Sequence, residues 1–302
     1  MCSKDPQSKE IQLLARCKAG DKEQFQTLLS PYLHMLRLIT YSILQNKEDM
    51  EEVVQESVLK AITHIGQLRD DDSFKTWLLQ IAANEARMRQ RKYRKHLFDS
   101  VEHDIHEQPF QPRQFIEWRK IPSTELEQKE LRDALTNALN CLGEGYREVF
   151  VLRDVENLST IETGKILGMS EAAVNTRLHR ARLQMREYLT PFFKRPAKKW
   201  VPMSFKMMVL MGKMMVRKVI SCKRAMGEVS NYINGCLSEE LRAQIEEHLQ
   251  LCERCSLVLD TTRNLLHIVG DDKVFDLPFE CTQDWQQFLA KRPGKISPIG
   301  TA

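Results

Sequence analysis

Cysteine and histidine recur late in the chain at intervals that suit a metal ion. Cys222, His248, Cys252 and Cys255 spell C-x25-H-x3-C-x2-C. Three thiolates and one imidazole form a soft, four-donor set suited to tetrahedral Zn2+. Such a set leaves no open coordination position, so the expected role is structural and not catalytic. His248 and Cys252 stand four apart and share one helical face, with Cys255 a further turn along. Two other readings stay open. Cys252 and Cys255 fit a thioredoxin-type redox pair, although no βαβ pattern surrounds them, and they also fit plain buried thiols. Cys236 is a substitute ligand candidate, whereas Cys2, Cys17, Cys141 and Cys281 lack ligand spacing. A zinc-dependent enzyme would need an open metal position and a base such as Glu247.

A second chemistry is suggested by charge. The formal net charge is only +4, but the signs are segregated. Arg87, Arg89, Arg91, Lys92, Arg94 and Lys95 place six cations in nine positions. Arg177, Arg180, Arg182 and Arg186 form another basic run with His179, and Pro191–Met226 holds ten cations and no anion. Acidic residues gather at Glu48–Glu56 and Asp70–Asp72. This distribution points to a polyanion partner, the alternative being a set of solvated helix faces.

The elements that position these groups read as helices throughout, so the fold class is all-α. Phe25, Leu28, Leu29, Tyr32, Leu36, Ile39 and Ile43 step by three and four, with Asp21 as a candidate cap. Met50, Val53, Val54, Ser57, Val58, Ala61 and Ile62 form a second stripe. Phe74, Trp77, Leu78, Ile81, Ala82 and Met88 form a third, opened by Ser73. These stripes define a first domain at 8–98. Residues 99–123 read as a linker containing Pro109, Pro112 and Pro122. Helical spacing resumes in a second domain at 124–190. A basic, Met-rich linker follows at 191–220, then the cysteine-bearing domain at 221–270 and a tail at 271–302. The Met-rich part, 203–215, fits either an adaptable binding helix or a linker.

Composition narrows the classes further. The 302 residues allow about two domains, or three small ones. Hydrophobic residues at 42% and charged residues at 28% read as soluble and globular. Eight cysteines are too few for a disulfide-stapled secreted scaffold. No apolar run follows Met1, so no secretory signal is expected. The most apolar candidate span, Val201–Val219, is interrupted by Lys206, Lys213, Arg217 and Lys218, so no membrane span is expected either. A reducing, cytoplasmic setting is therefore expected.

Within the second domain, Ser159–Ile166 and Ser170–Leu189 read as two helices joined by Leu167, Gly168 and Met169. Ser159 and Glu162 have capping-box spacing. Gly168 suits a left-handed helix end, and Ser170 suits the next cap. Short helix, glycine turn and second helix make a helix-turn-helix pattern, or else an ordinary αα-hairpin. Val174, Leu178, Ala181, Met185 and Leu189 face inward. Glu171, Ala172, Asn175, Thr176, His179 and Arg180 face outward near the start, where a recognition helix meets base edges. Arg177, Arg182 and Arg186 flank them and suit phosphates.

Tyr146–Thr160 (YREVFVLRDVENLST) and Ile166–Arg182 (ILGMSEAAVNTRLHRAR) together resemble region 4 of the extracytoplasmic-function sigma factors. The resemblance implies binding to the promoter −35 element through Glu171, Asn175, Thr176, Arg177, His179 and Arg180. One departure is Glu162–Lys165, where the family usually has a small Ile/Ala pair; Gly164 loosens that helix. Asp49–Ala61 resembles the same family's region 2 helix that docks on RNA polymerase, which implies a polymerase-binding face of Asp49, Glu52, Gln55 and Glu56. Phe74–Arg87 resembles the −10-reading helix, with Asn84, Arg87, Arg91 and Lys95 on one face to track a strand. Residues 64–73 suit an unstacked base held outside the duplex. Phe74 and Trp77 fit core packing better than base stacking.

The cysteine domain, with Tyr232–Gly235 and Leu237–Glu240, resembles a zinc-binding anti-sigma domain. The resemblances together imply a bacterial, non-enzymatic transcription initiation factor. RNA polymerase core and promoter DNA are its implied partners. Its zinc domain would act in cis, or a separate anti-sigma factor would act on it. The alternative is a stand-alone helix-turn-helix regulator with a redox- or metal-sensing zinc domain.

Overall fold

The fold, seen in a computed structural model, is described for residues 6–21, 23–68, 70, 73–97, 125–193 and 220–270. Every regular element among them is helical. The expected linker at 99–123 and tail at 271–302 lie outside the described residues. So does the linker at 191–220, including the Met-rich 203–215, apart from 191–193 and Ile220. Among the described residues no helix is long and apolar enough to cross a membrane.

The described chain falls into two units. The first contains α1 (Pro6–Lys18), α2 (Glu23–Leu29), α3 (Leu33–Leu44), α4 (Lys47–His64) and α5 (Phe74–Leu97), together with residues Ile161–Met169. The stripe expected as one helix from Phe25 is two, because Pro31 sits in a 3-10 turn, Ser30–Tyr32, between α2 and α3. Helix α1 goes beyond the sequence reading. It buries Leu14 and Cys17, and Tyr32 Oη donates back to Glu10 at 2.7 Å. Asn46 caps α4 by accepting from Asp49 N–H at 2.9 Å. Ser73 does not open α5 as a cap; its hydroxyl donates to Asp70 O. The buried face of α5 is Phe74, Leu78, Leu79, Ala82, Ala83 and Ala86. Met88, expected inside, is exposed, because that face turns one position away from it.

The second unit holds α6 (Glu125–Cys141), α7 (Glu144–Phe150), α9 (Glu171–Phe193) and the four helices of the cysteine domain, with α8 (Thr160–Leu167) lying before α9 in the chain. Leu131, Leu135, Ala138, Leu142, Val149, Phe150, Val174, Leu178, Met185 and Leu189 are buried. A π turn at Val151–Val155 follows α7, closed by Glu156 N–H donating to Val151 O. Helix α9 runs through Pro191 to Phe193, four residues past the expected end at Leu189. The last four helices are α10 (Cys222–Gly227), α11 (Val229–Ile233), α12 (Glu239–Leu251) and α13 (Glu253–Val269). They surround a small core of Ile220, Ala225 and Ile245, with Tyr232, Leu237, Leu241 and Leu249 packed on it.

Between α8 and α9 the turn is as its residues require. Gly168 has φ +67°, and Ser170 Oγ accepts from Ala173 N–H at 3.3 Å. A Cβ at Gly168 would meet nothing within 4 Å, so only the backbone opposes a side chain there. Gly168→Ala should therefore cost about 1–2 kcal/mol, and Gly168→Asn less, in a urea titration.

Candidate metal centre and nucleic-acid interface

The metal-type donors converge. Sγ of Cys222, Cys252 and Cys255 and a ring nitrogen of His248 all lie within 4.8 Å of one another. Local structure explains why. Ser221 caps α10, accepting from Arg224 N–H, so Cys222 is its first helical residue. Ser238 caps α12 in the same manner. Helix α12 stops at Cys252, which is extended (φ −113°, ψ 96°) and donates its N–H to His248 O at 2.8 Å. Cys255 therefore sits on the next helix and not further along the same one, and the break turns it back toward His248.

A tetrahedral centre with metal–sulfur bonds of about 2.3 Å puts two thiolates about 3.8 Å apart, and a thiolate and imidazole about 3.6 Å apart. Cys222 and Cys252 Sγ stand 3.8 Å apart, and His248 Nε2 stands 3.3 Å from Cys255 Sγ. The donor set fits a closed, four-coordinate ion. Burial pushes the Cys255 and Cys222 thiols up and pulls the His248 imidazole down, so every one of them is held neutral without a cation. A divalent ion inverts that preference. Cys236 is outside the cluster; its thiol donates to Asn234 O at 3.6 Å. Cys17 and Cys141 are elsewhere. The thioredoxin-type reading finds no support, since no strand occurs among the described residues.

Helix α9 carries the six residues expected at the −35 element. Glu171 and Thr176 are exposed, and Thr176 donates to Ala172 O. Asn175 Oδ1 accepts from the Thr160 hydroxyl at 3.5 Å. Arg180 donates to Tyr146 Oη at 3.2 Å. Arg177 lies over Gly145, where a Cβ would come within 3.0 Å of Nη1. His179 is not outward. Its Nδ1 is 3.1 Å from Ser230 Oγ, and burial, helped by Arg182 and Arg180 and opposed by Glu228, pulls its pKa down to about 4.

Arg182 and Arg186, expected to meet phosphates, are 3% and 0% exposed. Arg182 grips Asp154 with two bonds, at 2.8 and 2.7 Å, and donates to Asn234 Oδ1 at 3.1 Å. The π turn holds Asp154 at that position. Arg186 Nε donates to Thr261 at 2.5 Å. Residues 179, 182 and 186 thus share a face that three residues of the cysteine domain cover. Helical spacing alone separates buried from outward positions. It does not separate a solvent face from one covered by a later segment, which is why these partners are absent from the sequence reading.

In the first unit, Asp49, Glu52 and Glu56 are all bridged by Arg89 of α5, while Gln55 is half-buried. Asn84 is exposed; Arg87 donates to Leu167 O at 3.0 Å, and Arg91 to Arg87 O at 3.3 Å. Lys95 belongs to α5, but its side chain lies outside the description. Phe74 is fully buried, with the half-buried Trp77 ring 6.1 Å from it, as core packing requires.

Three family models each match a part of the chain. The family described as "Sigma-70 region 2" matches residues 28–96, "Sigma-70, region 4" matches 132–185, and a zinc-finger family matches 222–256. The chain is similar to the ECF RNA polymerase sigma factor SigW of Bacillus subtilis, at 28% identity over 58% of this chain and 94% of that one. It is also similar to the RNA polymerase sigma-H factor of Pseudomonas aeruginosa, at 26% identity over 62% and 97%. A third relative is the ECF RNA polymerase sigma-E factor of Escherichia coli, at 26% identity over 61% and 95%.

The Arg182–Asp154 pair has a testable cost. Asp154→Ala leaves a buried guanidinium without its carboxylate and should destabilise the second unit by about 3–5 kcal/mol in chemical denaturation. A double variant, Asp154→Leu with Arg182→Met, should lose less than Asp154→Ala alone.

Proposed function

We propose that this chain, a sigma factor of the extracytoplasmic-function type with a C-terminal anti-sigma-like zinc-finger domain, is regulated in cis through the contact of that domain with α9. As such a sigma factor it is a transcription initiation factor. In this reading α4 docks on a basic surface of RNA polymerase core through Asp49, Glu52, Gln55 and Glu56. Asn84, Arg87, Arg91 and Lys95 of α5 meet the −10 strand, and Glu171, Asn175, Thr176, Arg177, His179 and Arg180 meet the −35 duplex. The Cys222, His248, Cys252 and Cys255 set holds a structural Zn2+, which fixes α10, α12 and α13 relative to one another.

One observation carries the regulatory reading. Ser230, Asn234 and Thr261 of the zinc domain bond His179, Arg182 and Arg186, one each, along one face of α9. His179 and Arg180 border the DNA-reading half, so duplex seated there competes with the zinc domain for that edge. The bonds to charged donors are worth about 1.5–3 kcal/mol each, enough to bias an open–closed equilibrium tenfold or more. Because the donors that hold the domain together are metal ligands, metal supply controls the contact.

The decisive test is multiple-round transcription with purified core polymerase. The full chain should bind core and start transcripts at defined sites; a chain that never programs core at any promoter overturns the sigma assignment of its surfaces. Asn234→Ala and removal of zinc with a chelator should each raise promoter-specific output about tenfold. Equal output from the metal-loaded, chelated and Asn234→Ala forms would sink regulation in cis.

His179 adds a pH dependence. Covered, it titrates near 4; uncovered, near its ordinary value of about 6.5. The covered form is therefore fully favoured above pH 6.5 and loses stability as pH falls toward 4. Between pH 7.5 and 5, the zinc-loaded chain should lose about 1–2 kcal/mol more of urea stability than His179→Gln does.

A further inference from the structure

Helix α4 is fixed in rotation by its apolar face, where Met50, Val53, Val54, Val58 and Ala61 are fully buried. Its opposite face can therefore point Asp49, Glu52 and Glu56 in only one direction, as a row stepping by three and four. Like charges at that spacing repel, and each glutamate left free carries about 1.5–2 kcal/mol of rotamer entropy. One side chain from α5 reaches all three. Arg89 Nη1 lies 3.1 Å from Asp49 Oδ1 and 2.8 Å from Glu52 Oε2, and Nη2 lies 3.2 Å from Glu56 Oε1. Tyr93, one turn along α5, donates to the same Asp49 oxygen at 2.8 Å.

The two ends of this network differ in access. Arg89 is only 20% exposed, whereas Glu52 and Glu56 are 64% and 50% exposed. The guanidinium thus sits level with Asp49, itself 19% exposed, and underneath the two glutamates, which stay open to solvent. Three carboxylates against one cation keep the row net negative, so it still attracts a basic surface. Arg87 and Arg91 bond carbonyl oxygens, at Leu167 and Arg87 respectively.

We propose that Arg89 is a positioning residue of the polymerase-docking face, holding Asp49, Glu52 and Glu56 in the arrangement that the cations of core RNA polymerase meet. This rests on the reading of α4 as the docking helix. Its function is to prepay the ordering of three side chains before the partner arrives. A planar fork is required, because the three contacts come from two nitrogens held in one plane; a lysine ammonium keeps the charge but not that reach. The competing outcome is that Arg89 merely neutralises the row and is displaced when polymerase binds.

Binding kinetics of the full, zinc-loaded chain on immobilised core polymerase separate these outcomes. Arg89→Ala makes the row one charge more negative, so association should be no slower than wild type, and faster at low salt. Dissociation should accelerate about three- to tenfold, for both Arg89→Ala and Arg89→Lys. A role in folding alone would lower the competent fraction and the association rate without changing how fast bound chains leave. If Arg89→Ala fails to fold, Arg89→Lys decides by the same criterion. Unchanged or slower dissociation in the folded variants overturns the proposal. A Glu52→Gln, Glu56→Gln double variant is measured alongside. If it binds core as wild type does, the docking face itself is misassigned; if it weakens binding while the Arg89 variants do not, only Arg89's role is lost.

Discussion

A buried guanidinium tolerates no vacancy around it, and Arg182 is nearly sealed from water. The second unit is organised by that requirement. Its carboxylate partner, Asp154, sits on a widened helical turn, so α7 cannot continue as a regular helix past Phe150. Its remaining reach is spent on Asn234, which belongs to the zinc domain. A single cation therefore satisfies the core of one module and the boundary with another. Losing Asp154 would leave an unpaired charge in a low-dielectric place, which is costlier than losing an ordinary surface contact, whereas losing Asn234 removes one neutral acceptor and leaves the ion pair intact.

Much of the fold follows from spacing. The apolar stripes of α3, α4, α6, α9 and α13 are buried where three-and-four periodicity puts them, and Gly168 and Ser170 make the turn their chemistry demands. The cysteine spacing is equally plain. Cys222 lies far from the other three donors in sequence, yet the cap at Ser221 and the break at Cys252 bring all four together. What periodicity misses is of another kind. Pro31 breaks a stripe without interrupting its apolar rhythm, and Met88 has the right residue type one position off the buried face.

The site residues divide along the same line. Charged residues at helical spacing announce a face but not its neighbour. Glu171 and Thr176 are outward as expected, but His179, Arg182 and Arg186 are covered by residues some fifty to seventy-five positions later. Ser230, Asn234 and Thr261 are small polar residues, and although Asn234 falls in the Tyr232–Gly235 motif, nothing in the sequence marks any of them as a partner of α9. Arg89 is similar. It reads as one more member of a basic run, and only the packing of α5 on α4 gives it three carboxylates.

The turn at Cys252 has a consequence for the lifetime of the protein in a cell. Three of the four donors come from helices α10, α12 and α13 and the fourth, Cys252, from the break between the last two, so an ion seated among them would crosslink all three helices beside a small core of Ile220, Ala225 and Ile245. With an ion held there, as proposed, its loss would release those helices from one another, and protease susceptibility would follow metal status even where transcription did not. Abundance would then be a second channel by which the same four side chains report on their surroundings.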